Sequence, residues 1–63
     1  MAITIEGLIE ENLILKYPWV HGIEIEHVSD GYYIATLEFW MDTDLEVGVT
    51  VNDEEEITAI EVL

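Results

Sequence analysis

From Ile23 to Val51 apolar and polar residues take turns along the chain. Ile23 and Ile25 alternate with Glu24 and Glu26. Tyr33, Ala35, Leu37, Phe39 and Met41 alternate with Tyr32, Ile34, Thr36, Glu38 and Trp40, and Leu45, Val47, Val49 and Val51 with Glu46, Gly48 and Thr50. Successive side chains of a strand point to opposite faces, so this period of two predicts half-buried antiparallel strands. They are expected at about residues 20–28, 32–41 and 45–51. Ser29-Asp30-Gly31 reads as a hairpin turn with glycine where a positive φ is wanted, and Asp42-Thr43-Asp44 as the next turn. Asn52 to Glu55 forms the last turn and residues 56–62 the last strand. There Thr58, Ile60 and Val62 form the expected apolar face, with Ile57, Ala59 and Glu61 opposite.

The period changes before Pro18. Ile5, Leu8, Ile9, Leu13 and Leu15 fall on one broad arc of a 3.6-residue wheel, and Glu6, Glu10 and Glu11 on the other, which predicts a helix from about residue 5 to Lys16. Thr4 is its expected N-cap, acids sit in its first turns, and Lys16 suits the C-terminal end of its dipole. Pro18 stops it, because the residue before a proline is pushed out of the helical region. A short strand over residues 2–5 is the alternative for the start of the chain. The expected fold class is α+β: one N-terminal helix packed on a four-stranded antiparallel meander, which gives the greasy sheet face something to bury against. All 63 residues form one domain, near the lower size limit for independent folding.

Composition sharpens this picture at one point. Fifteen acids face a single basic residue, Lys16, for a formal charge of −14. That much like charge on so small a body repels itself. Nucleic acid and anionic membranes are therefore excluded as direct partners, and a basic protein surface is the natural complement. The hydrophobic content of 51% argues for a real core and against disorder. With no cysteine there is neither a disulfide nor a thiolate metal site. No apolar run reaches the roughly 18 residues of a membrane span, and no signal-peptide pattern opens the chain, so the expected location is the cytoplasm.

The uncovered sheet face is the candidate site. Glu24, Glu26, Glu38, Glu46 and Glu61 are expected to project from it, with Tyr32 and Trp40 among them and Asp42 and Asp44 at its rim. An exposed face must be polar, and glutamate solubilises it; solubility alone does not explain the lack of lysine and arginine, since mixed signs serve as well and add cross-strand pairs. A compact chain of this length has a diameter of roughly 27 Å, over which duplex DNA carries on the order of 16 phosphates. The acids match that number.

In size and charge, and in runs such as GLIEEN, LEFWMDTDLE and NDEEEI, the chain resembles the small phage-encoded DNA-mimic inhibitors of the anti-CRISPR and anti-restriction type. The resemblance is one of composition over the whole chain and of no motif. It implies inhibition of a host nuclease or its DNA-binding subunit, in the host cytosol, and assigns no residue a role.

Other chemistries are weaker. Asp42, Asp44 and Glu46 with Asp53 have part of the oxygen spacing of a calcium loop, but Val47 stands where the loop needs glycine, so no metal or other cofactor is expected. His21 and His27 are about 20 Å apart along one strand, too far to share a metal, and have the parity of the core face. The only serine, Ser29, lies in a turn, no glycine-rich phosphate loop is present, and a helix on a small sheet has little room for a catalytic cleft. An enzyme is not expected. The leading expectation is a binding protein whose carboxylates take the place of phosphates in a basic groove, with Tyr32 and Trp40 as anchors. The rival is a small structural domain that self-associates as a homodimer through Trp19, Trp40 or an edge strand, burying Ile14, Ile34, Trp40 and Ile57.

Overall fold

A computed structural model describes residues 4–63. Helix α1 (Ile5–Lys16) is followed by strands β1 (Gly22–Ser29), β2 (Tyr32–Glu38), β3 (Asp44–Val51) and β4 (Ile57–Val62). Each strand pairs antiparallel with the next, so the sheet order is β1-β2-β3-β4. The fold is the expected α+β meander with one N-terminal helix.

The Thr4 hydroxyl accepts from the Gly7 backbone N–H at 3.1 Å and caps α1, with Glu6 in the first turn and Lys16 in the last. Thr4 thus caps the helix and Ile5 belongs to it; the rest of the alternative strand, residues 2–3, lies outside the described residues. Ile9 and Leu13, one turn apart, are fully buried against Tyr33, Ala35, Leu37, Val47, Val49 and Val51. Burying each such large apolar side chain contributes roughly 1.5–3 kcal/mol, and among the described residues this layer between helix and sheet is the core. Leu15 was expected beside them but is 77% exposed. It lies about 160° round the helix from Leu13, beyond the reach of one sheet face.

The sheet departs from simple alternation in two places. Between β3 and β4 a bulge shifts the register: Thr50 pairs with Ala59, but Val51 pairs with Ile57. Ile57 therefore joins Ile60 against the core and Thr58 is exposed, its hydroxyl donating to the Thr50 carbonyl at 3.3 Å. The expected apolar set of Thr58, Ile60 and Val62 is corrected accordingly, since an extra residue flips every side chain beyond it. The second departure is the end of β2 at Glu38, three residues earlier than the alternation suggests. Phe39 donates its N–H to the Thr43 carbonyl at 2.8 Å, and the chain turns through Met41 and Asp42 at φ 67° and 56°. At the other end of β2, Gly31 has the expected positive φ, 76°, and its carbonyl accepts from the Val51 N–H at 2.8 Å.

Candidate functional site

The register assigns the uncovered face row by row. Gly22, Glu38 and Asp44 stand side by side, followed by Glu24, Thr36 and Glu46, then by Glu26, Ile34, Gly48 and Glu61, and last by Tyr32, Thr50 and Ala59. The acids do not cover this face evenly. Glu24 and Glu26 lie on the outer strand β1, and Asp44, Glu46 and Glu61 on β3 and β4, all exposed. Between them runs a neutral strip formed by Tyr32, Ile34, Thr36 and Gly48. At about 4.8 Å per strand, Glu24 and Glu46 are separated at the backbone by about 10 Å and Glu26 and Glu61 by about 14 Å. Glu38, half-buried, is directly opposite Asp44, a like-charge pair that costs stability.

Neither expected aromatic anchor is where alternation puts it as a free projection. Tyr32 is on the open face, but its ring lies diagonally over Gly48, where an added Cβ would overlap the hydroxyl and stand 3.1 Å from Cζ. Gly48 is buried beneath it. Trp40 is not on the face at all, because β2 has ended two residues earlier. In the β2–β3 turn it packs on His21, with ring centroids 4.6 Å apart and planes tilted by 33°, while remaining 72% exposed. His21 is held in place by its backbone N–H, which donates to the Glu38 carbonyl at 2.8 Å.

This end of the sheet was missed as a unit by sequence reasoning. His21, Glu38, Phe39, Asp42 and Asp44 line one open hollow of about 320 Å³. Trp19 and Met41, 76% and 93% exposed, leave from the same two chain segments. The available signal was a tryptophan beside Pro18 and another beside the turn; the two segments that carry them are joined by the His21–Glu38 backbone bond. Phe39 turns inward from here and meets Tyr17 edge-on at 6.3 Å.

The chain matches no protein family, no curated protein and no solved structure with which it was compared. Its own surface is what carries functional information.

His27 stacks on Tyr33 across the β1–β2 pair, centroids 4.6 Å apart, at the rim of the core face and far from His21 along the strand. Among the described residues no three histidine or acidic side chains gather in a group that would hold a metal ion; Asp42, Asp44, Glu46 and Asp53 do not converge. No helix among those residues is long and apolar enough to cross a membrane. The remaining acids, Glu6, Glu10 and Glu11 on α1 and Asp30 and Asp53 to Glu56 in the turns, are exposed. The chain measures 37 × 27 × 16 Å, and duplex DNA of the longest dimension carries on the order of 22 phosphates. The 15 acids therefore match the shorter 27 Å edge in number, and fall short along the longer.

Proposed function

We propose that this protein is a non-catalytic inhibitor that occupies a basic, nucleic-acid-binding surface of a larger protein, such as a nuclease complex. The observation that carries the reading is the two-sided arrangement of exposed carboxylates on the uncovered face. Glu24 and Glu26 form one rail; Asp44, Glu46 and Glu61 form the other. Their separation of about 10 to 14 Å is close to the roughly 12 Å width of the major groove, so lysines and arginines that straddle two phosphate strands meet charges at a similar spacing. Competition follows directly: the partner's cations cannot hold phosphates and carboxylates at once. Long-range charge also speeds encounter, and does so less as salt rises.

The experiment is capture of partners from a lysate of the source organism or its phage host on immobilised protein at low salt, followed by a salt step. A nucleic-acid-binding protein released by salt from the wild type, and not retained by a Glu24→Lys, Glu46→Lys variant, is the expected result. Equal retention on both forms would sink the proposal.

A second reading, self-association, has its own observation. Among the described residues β4 is an edge strand with no neighbour on its outer side; it ends in Val62, followed by Leu63, 60% and 58% exposed, and carries a single charge, Glu61. Edges of this kind are templates for pairing with another copy. Charge opposes it, so such a dimer forms more readily as salt rises; sizing at low and high salt decides.

A further inference from the structure

We infer that the anchor of the docking surface is the end of the sheet around Trp40, and that it takes an arginine side chain from a basic segment of the partner. The inference rests on the proposed docking of a basic protein and names the point of that surface where specificity resides. Two observations carry it. First, Trp40 has one indole face against the His21 imidazole and is still 72% exposed, so its other face is bare. Second, Glu38, Asp42 and Asp44 line a hollow whose further wall is His21, the residue Trp40 packs on, so carboxylates lie close to the indole along the same turn.

A planar cation suits both. An arginine guanidinium stacks on an indole face and donates in a fork to a carboxylate, whereas a lysine ammonium is a compact, strongly hydrated point charge. The hollow is open, which suits the tip of a side chain delivered by a protein surface. Tyr32 cannot serve in the same way, because its ring is already laid over Gly48. Trp19 and Met41, on the same two chain segments as His21 and Trp40, are both largely exposed.

Fluorescein-labelled nona-arginine and nona-lysine peptides, which carry equal charge, provide the test by anisotropy at low salt. Wild type is expected to bind nona-arginine about fivefold more tightly than nona-lysine. Trp40→Ala removes that preference and Trp40→Phe largely restores it; circular dichroism checks that both fold, as an exposed position allows. A Glu24→Gln, Glu26→Gln variant, altered on the far rail, lowers both affinities together and keeps the ratio. Equal affinities in the wild type, or a preference that survives Trp40→Ala, overturn the arginine anchor and leave the acidic docking surface standing. Failure of both peptides to bind overturns the anchor and the docking surface together.

Discussion

Tyr32 of β2 roofs Gly48 of β3. The two are diagonal neighbours on the uncovered face, since Tyr32 pairs with Thr50, and the ring occupies the space a side chain at position 48 would fill. Glycine in a strand normally costs stability relative to alanine; here it makes room for an aromatic cover. Gly48→Ala displaces the ring and is expected to destabilise the protein by about 1 kcal/mol. In a Tyr32→Ala background the same change becomes stabilising by about 0.5–1 kcal/mol, because only the backbone term is left. Urea melts of the four proteins measure this coupling, and additive effects would contradict the packing.

The β2–β3 turn stores strain that glycine relieves. Met41 has φ 67° and is 93% exposed, so its side chain has little packing to lose. Met41→Gly is expected to raise stability by about 1 kcal/mol, the lower end of the cost of a left-handed non-glycine residue. A loss of stability on thermal melting would show that Met41 packs in a way its exposure does not reveal.

Asn52 organises the β3–β4 turn. Its Oδ1 accepts from the Glu54 N–H at 3.0 Å and the Glu56 N–H at 2.9 Å, within a run of four acids, and Glu55 follows with φ 61°. Asn52→Ala leaves both donors to water and is expected to cost about 1 kcal/mol. Asn52→Asp keeps the acceptor and recovers part of the loss, less fully at low salt because it adds a charge beside Asp53. Denaturant midpoints at two salt concentrations separate the two contributions.

How much of this was readable beforehand depends on what set each position. The alternation of Tyr33, Ala35 and Leu37 with Ile34 and Thr36 placed β2, and that of Val47, Val49 and Val51 placed β3, because burial of one face imposes a period of two. The helix over Ile5–Lys16 was legible from Thr4, the apolar arc and Pro18. Features that depend on backbone departures were not. The bulge opposite Thr50 and Val51 moved Ile57 to the core, and no local residue preference announces it. The early end of β2 took Trp40 off the sheet face and onto His21, a contact set by which segments meet in space. The acidic character of the open face was plain from composition. Its division into two rails around Ile34, Thr36 and Gly48 required the register.

Self-repulsion is the cost of that surface. Glu38 and Asp44 stand directly opposite on adjacent strands. Asp44→Asn is expected to stabilise the fold by about 0.5 kcal/mol at low salt and by less than half of that at 1 M, where screening acts within about 3 Å. The wild type itself should melt at a higher temperature as sodium chloride rises from 10 mM to 500 mM. A melting temperature that falls with salt would argue that the carboxylates are held by favourable interactions instead.

Displacement by nucleic acid tests the central claim most directly. The partner captured at low salt is purified and bound to the immobilised protein, and duplex DNA or RNA that the partner recognises is titrated in. The expected result is mutual exclusion: the partner leaves as nucleic acid is added, and the apparent Kd for this protein rises in proportion to free nucleic acid. A ternary complex holding both ligands at once would contradict mimicry, as would undiminished affinity of a Glu24→Lys, Glu46→Lys variant.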